Sequence, residues 1–386
     1  MFNGLGKKQR LYRFIMNLFC VFPIQNNKIV ITSYFGKGYG DNGKYIVEKL
    51  LEKDKGFVVC WLVDSQYENT IPPGIKAVRN GSIHALYELA TAKVWIDNCR
   101  KSVYIKKRKG QFYIQTWHGA IGVKKCEGDA EQYLTTEYIR NCKHDSEMAD
   151  VILSGSKWGT ELVKRAFWYH GEVLEIGSPR NDVFFGDLDS IKKEVGKYLN
   201  TEGYKLILYA PTFRNNGTLS AYELDFNRIL SAVEQKFGGK YKILLRLHPN
   251  VSKLVHKMEI PEEVINVTDY PDMQELLLAS DILITDYSST MFEFMLKKGI
   301  VFLIALDYEN FIQNEREFYF DLEKLPFPFC KTMEEFILAI KSFDRKEYDC
   351  KISNFFQEIG QAEKGIASEI VANLIFKVCK DRERTI

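Results

Sequence analysis

Residues 28–43 read KIVITSYFGKGYGDNG, a short apolar run followed at once by a glycine-rich turn. The run carries no charge after Lys28 and is rich in Ile and Val, which is typical of a strand buried on both faces of a parallel sheet. A helical pattern then continues to Lys53. A strand, a turn and a helix in this order predict one unit of an α/β fold.

The same alternation recurs in two series along the chain. The first has strand candidates at 28–35, 56–63, 92–98, 111–117, 149–155 and 172–178, and helix candidates at 82–90 and from Lys157. The second has strand candidates at 205–212, 242–249, 264–269, 281–288 and 300–306, and a helical tail over 333–384. The polar stretch GSPRND at 177–182 interrupts both patterns. We therefore predict two Rossmann-like domains.

Composition excludes several classes of protein. The 386 residues carry a net charge of +2 and are 46% hydrophobic, which argues against disorder and against a nucleic-acid partner. The eight cysteines include no CxxC pair, so neither a disulfide framework nor a zinc site is predicted, and a reducing, cytosolic compartment is favoured. No apolar run reaches the roughly 18–20 residues that span a bilayer.

The first 26 residues combine basic and apolar side chains. A helix would place six apolar residues on one face: Leu11, Phe14, Ile15, Leu18, Phe19 and Phe22. Four basic residues crowd its beginning: Lys7, Lys8, Arg10 and Arg13. Such a helix suits the surface of an anionic membrane, and the alternative is a helix packed on its own domain.

Two histidines follow strand candidates. His118 lies in Trp117-His118-Gly119, directly after QFYIQT, where it could serve as a general base or make a structural hydrogen bond. His248 ends the run KILLRL and precedes Pro249, which restricts it to extended geometry. Open α/β sheets place their ligands at the carboxyl ends of strands, so both are candidate site residues.

The segment 285–290, TDYSST, joins a strand candidate to a helix candidate. Hydroxyls and free N–H groups at a helix start favour a diphosphate, and Asp286 could orient a hydroxyl or an amine. The alternative is a capping box formed by Thr290 and Glu293, which needs no ligand. In YAPTFR at 209–214, Thr212 and Arg214 offer further donors for a phosphate.

Three further features are candidates for ligand contacts. Arg180 could also hold a phosphate, although a surface arginine is the commoner case. The turn at 36–43 lacks the GxGxxG spacing and is either a plain tight turn or a site of close approach by a ligand. The basic loop at 106–109 is either solvated or in contact with lipid headgroups. The sequence has no Walker A loop, HExxH or GxSxG, and no acidic cluster that dictates a magnesium site.

Six motifs in order resemble the CDP-glycerol glycerophosphotransferase family of teichoic acid and capsule synthesis, which includes ribitol-phosphate transferases. They are KIVITSYFGKGYGDNGK, YIQTWHG, GSPRND, YAPTFR, RLHP and DILITDYSSTMFEF, and they cover most of residues 28–310. The resemblance implies a GT-B fold, with two Rossmann-like domains facing a cleft and the predicted amphipathic helix in front of them. Residue 213 is Phe where relatives also carry Trp.

The sequence pattern and the resemblance together predict four segments. An amphipathic membrane-associating segment would occupy 1–26, an acceptor domain 27–185, a nucleotide-binding domain 186–345 and C-terminal helices 346–386.

The resemblance also implies roles for individual residues. His118 and His248 match the family's two essential histidines and are the expected catalytic residues. The expected nucleotide and diphosphate contacts are Thr212, Arg214, Asp286, Ser288 and Ser289. Gly38, Asp41, Asn42, Trp117 and Arg180, all within the quoted motifs, are the candidate acceptor contacts.

The implied reaction is transfer of an alditol phosphate from a CDP-alditol to a hydroxyl of a lipid-linked wall teichoic acid or capsule precursor, with release of CMP. The donor would be CDP-glycerol or CDP-ribitol, the acceptor an undecaprenyl diphosphate saccharide, and His118 the base. Neither a metal site nor another cofactor is expected. The enzyme would act at the cytoplasmic face of the membrane, and a homo-oligomer is compatible with the sequence.

Two other functions fit the same residues. A GT-B glycosyltransferase with a nucleotide-sugar donor would also use a strand-end histidine and a diphosphate site. A non-catalytic protein of the membrane surface would keep the fold, but it has no need of the two histidines.

Overall fold

The computed structural model describes residues 6–119, 121–214, 219–248, 251, 258, 260–314 and 317–380. These residues form two compact units. The first takes in the described residues up to 119, then 126–182 and 361–380, and the second takes in 121–125 and the described residues of 183–360. Each unit is built on a parallel sheet, so the α/β class predicted from the strand pattern is confirmed.

The first unit has a seven-stranded parallel sheet in its described part, with the order β3-β2-β1-β4-β5-β6-β7. The strands are β1 (Gln25–Thr32), β2 (Val58–Val63), β3 (Lys76–Arg79), β4 (Ala92–Asp97), β5 (Phe112–Gln115), β6 (Val151–Ser154) and β7 (Glu172–Glu175). Strand β3 was not predicted, because its sequence KAVR is short and carries only two apolar residues. β1 ends three residues earlier than predicted, since Tyr34 and Phe35 adopt left-handed backbone angles.

Helices cover both faces of this sheet. They are α1 (Lys7–Phe19), α2 (Asp41–Lys53), α3 (Ile83–Thr91), α4 (Thr136–Met148), α5 (Lys157–Ala166) and the last helix of the chain, α13 (Ala367–Lys380). Ile29 and Ile31 of β1 share a core with α2 and α13, whereas Val30 between them shares a core with α1 and α3. Successive side chains of a strand point to opposite faces, so β1 is buried on both.

The second unit has a six-stranded parallel sheet in its described part, with the order β10-β9-β8-β11-β12-β13. The strands are β8 (Lys205–Tyr209), β9 (Tyr241–Leu245), β10 (Val264–Asn266), β11 (Ile282–Thr285), β12 (Ile300–Ile304) and β13 (Phe329–Cys330). The helices are α6 (Leu188–Leu199), α7 (Phe226–Phe237), α8 (Met273–Ala279), α9 (Thr290–Phe294), α10 (Tyr308–Asn314), α11 (Met333–Ser342) and α12 (Arg345–Ile359).

The strand order reverses once in each sheet. The first sheet reverses beside β1 and β4, and the second beside β8 and β11. In open parallel sheets a crevice forms at this point, outside the carboxyl ends of the strands, and ligands bind there. The candidate site residues of each unit should therefore cluster at these strand ends.

Helix α1 divides its apolar residues between two environments. Met16 is fully buried, and Tyr12, Ile15 and Phe19 pack beside it against the first unit. Five other apolar residues in the described part of the segment are exposed: Leu11, Phe14, Leu18, Val21 and Phe22. The single apolar face expected from the sequence is thus split, and the helix that packs on its own domain also presents a second apolar surface.

The division into units differs from the predicted segments, and residues 121–125 and 183–185, predicted in the first domain, lie in the second unit. Helix α1 belongs to the first unit, and the predicted C-terminal segment 346–386 divides, since α12 lies in the second unit and α13 in the first. Ile375 of α13 is fully buried in the same core as Leu50 of α2. Residues 1–5 and 381–386 of the predicted terminal segments lie outside the described residues.

Two further findings concern membranes and cysteines. In the described ranges, none of the helices is both long and apolar enough to cross a bilayer. All eight cysteines are free thiols.

Candidate active site and its family

His118 lies at the carboxyl end of β5, in the first unit. Its Nδ1 is 2.7 Å from the backbone oxygen of Asn98, which follows β4. Because a carbonyl oxygen only accepts, Nδ1 carries the proton and Nε2 of the neutral ring keeps its lone pair. The ring is partly buried and lies against the Trp117 ring, with 4.2 Å between centroids. This arrangement presents one basic nitrogen.

The surroundings of His118 keep it neutral near pH 7. Burial lowers the pKa of His118 below its ordinary value of 6.5. The hydrogen bond to Asn98 and the charge of Asp41 act in the opposite direction, the charge of Arg180 lowers the pKa further, and Glu127 raises it. The net shift is downward, and an uncharged imidazole is the form that can accept a proton.

The predicted acceptor residues Asp41, Asn42, Trp117 and Arg180 meet around His118. Arg180 Nη2 donates to the His118 backbone oxygen at 2.8 Å, and Asn42 Nδ2 donates to the Trp117 backbone oxygen at 3.0 Å. Arg180 also forms an ion pair with Asp41. Asp41, Asn42 and Arg180 are buried, so in this structure they contact one another. Their binding of an acceptor stays a prediction.

Gly38 belongs to the turn that follows β1. Its φ of +94° suits glycine, and its backbone oxygen accepts a hydrogen bond from Trp61 Nε1 at 3.1 Å. The turn is therefore fixed by the core beneath it. An acceptor contact at Gly38 stays a prediction as well.

Asp286 organises the corresponding edge of the second unit. Its Oδ1 accepts hydrogen bonds from the backbone N–H groups of Thr212 at 2.7 Å and Tyr287 at 2.5 Å. Its Oδ2 pairs with Arg214 Nη2 at 2.8 Å. Asp286 is buried and ties the chain after β8 to the chain after β11.

Arg214 contacts a second carboxylate, which the sequence analysis missed. Its Nε and Nη2 reach Asp307 at 2.5 and 2.9 Å, and Tyr287 also donates to Asp307. Burial alone would raise the pKa of Asp307, but the hydrogen bonds and charge of Arg214 outweigh it and the pKa lies below its usual range. The guanidinium is thus held by two carboxylates, and its predicted contact to a phosphate stays a prediction.

The hydroxyls at 288–290 do not form the capping box considered above. Thr290 is the first residue of α9, its hydroxyl donates to Ser288 Oγ at 2.9 Å, and Glu293 instead accepts from Gln274 Nε2 at 2.6 Å. Glu293 is buried, so its carboxylate serves that long-range contact. Ser288 and Ser289 remain partly exposed, and the diphosphate contact expected of them stays a prediction.

His248 follows β9 and is exposed. Its ring stacks on Phe213 with 5.1 Å between centroids, and its backbone N–H donates to the Tyr222 hydroxyl at 3.2 Å. Pro249, the next residue of the motif, lies outside the described residues. The structure therefore groups His248 with the segment after β8 that carries Thr212 and Arg214.

Sequence reasoning missed three residues that the structure adds to these two clusters. They are Tyr34, Asn98 and Asp307, each of which follows an apolar strand: β1, β4 and β12. A polar residue at the carboxyl end of a buried strand was the available signal, applied to the histidines but not to these positions.

The described residues contain no group of three or more His, Cys, Asp or Glu side chains placed to hold a metal ion. That the reaction needs no metal stays a prediction.

Comparison with known proteins places the chain in a family. The model of the CDP-glycerol:poly(glycerophosphate) glycerophosphotransferase family matches residues 14–377. A teichoic acid poly(glycerol phosphate) polymerase of Bacillus spizizenii is 33% identical over 94% of this chain and 95% of its own length. The polymerase of Bacillus subtilis is 31% identical over 95% of this chain, which spans about half (51%) of that relative.

A solved structure supports the same assignment. A histidine-to-asparagine variant of the wall teichoic acid polymerase TagF, soaked with CDPG, has a TM-score of 0.84 and 30% identity, with 97% of this chain and 93% of that chain covered. The GT-B-type α/β fold expected from the six motifs is confirmed by this similarity. The chain belongs to the CDP-glycerol:poly(glycerophosphate) glycerophosphotransferase family and is a transferase of that type.

Proposed function

We propose that this enzyme transfers glycerol phosphate from CDP-glycerol to a hydroxyl of a lipid-linked teichoic acid or capsule precursor and releases CMP. The alternative donor is CDP-ribitol, from which ribitol phosphate would be transferred. The observation that carries the proposal is the hydrogen bond from His118 Nδ1 to the Asn98 carbonyl oxygen at 2.7 Å, which leaves Nε2 of a neutral ring free to accept a proton. The TagF relative soaked with CDPG supports the donor class.

In the proposed reaction, Nε2 of His118 takes the proton of the acceptor hydroxyl. The acceptor oxygen forms a bond to the distal phosphorus of the CDP-alditol, and the bond from that phosphorus to the bridging oxygen breaks. CMP leaves with the electron pair of that bond. His248, Ser288 and Ser289 would donate hydrogen bonds to the diphosphate as charge builds on it, and Arg214, which Asp286 and Asp307 hold in place, would be a further phosphate contact.

Positioning and electrostatics supply most of the acceleration in phosphoryl transfer. We therefore propose that turnover needs no metal. Activity that survives excess EDTA supports this point. Loss of activity in EDTA, restored by Mg²⁺, contradicts it.

We also propose that the enzyme works on the cytoplasmic face of the membrane, held there by α1. Leu11, Phe14 and Leu18 expose more than half of their surface, and Lys7 and Lys8 are exposed beside them. Apolar side chains at the headgroup boundary and basic side chains near anionic lipid each favour binding. In the basic loop, Lys106 and Lys109 are exposed.

The other two residues of the basic loop are tied to the first unit. Arg108 Nη1 donates to the backbone oxygens of Phe22 at 2.9 Å and Ala90 at 2.8 Å, and Lys107 pairs with Asp150. We therefore assign only Lys106 and Lys109 to a lipid contact.

The experiment that tests the reaction measures CMP release from CDP-glycerol and CDP-ribitol, side by side, with a lipid-linked saccharide acceptor. Release that requires the acceptor and is lost in His118→Asn supports the proposal. A UDP-sugar donor serves as the comparison, because glycosyl transfer releases the nucleoside diphosphate instead of CMP. Acceptor-dependent UDP release, without CMP release from either CDP-alditol, would contradict the proposal.

A further inference from the structure

The chain places a buried ion pair directly behind the turn that carries His118. Arg180 and Asp41 are 6% and 8% exposed, and their charged groups are in contact. The Tyr34 hydroxyl completes the pair, since it donates to Asp41 Oδ2 at 2.8 Å and accepts from Arg180 Nη1 at 3.1 Å. These three residues come from the turn after β1, the start of α2 and the segment after β7.

Hydrogen bonds from this pair and from Asn42 reach two consecutive backbone carbonyls. Arg180 Nη2 holds the oxygen of His118, and Asn42 Nδ2 holds the oxygen of Trp117. Asn42 is itself fixed, because its Oδ1 accepts from the Arg180 backbone N–H at 3.1 Å. Trp117 has a φ of +53°, a left-handed conformation that a bulky residue adopts only when its surroundings impose it.

Stability alone is a poor explanation for such a pair. Removing two charges from water is costly, and well-packed apolar residues of similar volume often give equal or greater stability. What an apolar pair lacks is directed donors, and here the donors point at the backbone of the Trp117–His118 turn. The side-chain hydrogen bond from Nδ1 to Asn98 orients the ring only if that backbone stays in place.

We infer that Asp41 and Arg180 are positioning residues: their ion pair, completed by Tyr34, holds the Trp117–His118 turn so that Nε2 of His118 faces the acceptor hydroxyl. The inference rests on the proposed function of His118. In this inference Asp41 and Arg180 support the Trp117–His118 turn, whereas the sequence analysis predicted that they contact the acceptor.

The same pair acts electrostatically on the histidine. Burial is the largest influence on the pKa of His118 and lowers it; Asp41 and Glu127 raise this pKa, and Arg180 lowers it. Removal of the Asp41 charge should therefore lower the pKa of His118, and removal of the Arg180 charge should raise it. Substitution of a residue that merely supports the fold would leave the pKa of His118 unchanged.

The test compares Arg180→Gln and Asp41→Asn by the dependence of kcat on pH, at saturating CDP-glycerol and acceptor. We expect each variant to lose roughly 10- to 100-fold in kcat, since a misplaced reacting group costs up to about 100-fold. The acidic limb of the kcat–pH profile, where the rate falls as His118 becomes protonated, should move to higher pH in Arg180→Gln and to lower pH in Asp41→Asn. The KM for CDP-glycerol should stay unchanged, because the donor is assigned to the second unit.

The matched control is another buried ion pair, which involves a residue of β1 itself. Lys28 Nζ lies 2.7 Å from Glu88, and both side chains are 5% exposed or less. Glu88→Gln should lower the Tm but leave kcat and the acidic limb as in the wild type. An unchanged kcat and acidic limb in Arg180→Gln, or limbs that move in the same direction in both site variants, would overturn the inference.

Two measurements keep the test decisive if a charge-removing variant fails to fold. Tyr34→Phe removes one hydroxyl from the pair and keeps the ring, and we expect a smaller loss of kcat, of about 2- to 10-fold. NMR titration of ¹⁵N-labelled His118 reports its pKa and tautomer without turnover. If the wild type releases no CMP from any CDP-alditol, the proposed function fails; if it does, and Tyr34→Phe alters neither kcat nor the His118 titration, the positioning inference fails alone.

Discussion

His118 Nδ1 lies 2.7 Å from the backbone oxygen of Asn98, 20 residues earlier in the chain. Adjacent parallel strands β4 and β5 bring the two together, because their carboxyl ends lie at one edge of the sheet. The contact fixes which nitrogen carries the proton. It therefore decides that Nε2, and not Nδ1, is the nitrogen available to an acceptor.

His118→Asn should abolish most turnover without unfolding the enzyme. The Asn side chain can still donate to the Asn98 carbonyl, but it has no basic nitrogen at the position of Nε2. General-base catalysis contributes about 100- to 10,000-fold, and we expect a loss of that order in CMP release. Thermal unfolding is the control, and a Tm close to the wild type is expected. Near-normal CMP release from the folded variant would remove His118 from the mechanism.

The rate should fall on the acidic side of neutrality and stay level above it. A base works in its neutral form, and burial lowers the pKa of His118 below 6.5, so activity is lost as the pH falls through that lowered value. The measurement is kcat/KM between about pH 5 and pH 8. A half-maximal point clearly above 6.5 would show that the titrating base is a different group.

Asp286→Ala should strongly destabilise the second unit. The change leaves Arg214 with one carboxylate and the N–H groups of Thr212 and Tyr287 without their acceptor. A buried donor left without its acceptor costs about 1–3 kcal/mol, and two such donors are left here. Asp344→Ala, which removes the exposed N-cap of α12, is the control and should cost only about 1 kcal/mol. Urea unfolding followed by far-UV circular dichroism measures both, and equal losses would contradict the role of Asp286.

Two substitutions in α1 should separate stability from membrane binding. Met16→Ala removes a fully buried side chain and should cost about 2–5 kcal/mol of stability. Leu18→Ser, which alters a side chain 52% exposed, should leave stability unchanged but weaken co-sedimentation with phosphatidylglycerol vesicles. Leu338→Ser, at an exposed leucine of α11, is the vesicle-binding control. Unaltered sedimentation of Leu18→Ser would contradict the membrane role of α1.

The stability of the first unit should drop in acid because of Glu88. Burial alone would raise the pKa of Glu88, but hydrogen bonds from Lys28 and Lys76 lower it from 4.5 to about 2. A carboxyl whose folded-state pKa is depressed stabilises the fold above its unfolded value and loses that contribution as the pH falls from about 4.5 to about 2. The shift corresponds to about 3 kcal/mol. Glu88→Gln should flatten the pH dependence of urea unfolding in this range, and an unchanged slope would refute the assignment.

Much of the fold followed from local pattern. Runs such as KIVIT and ILIT are buried on both faces in a parallel sheet, so their continuous apolar character identified them as strands. Strand β3 escaped detection because KAVR carries only two apolar residues, and β13 escaped it because two residues are too few to show a pattern. The prominent T-x-x-E spacing was misleading, since Glu293 pairs with Gln274 on another helix.

The sequence by itself determined the two α/β series, the family and the strand ends where polar residues concentrate, because these depend on short-range periodicity and on motifs in order. Tertiary structure alone decided that Asp41 pairs with Arg180, 139 residues away, that Arg214 is held by Asp286 and Asp307, and that α13 returns to the first sheet. The physical reason is that an ion pair or a packed face forms between groups that the fold brings close. Charge and hydropathy along the chain identify residues that can form ion pairs or pack together, but they do not determine which of these residues contact one another.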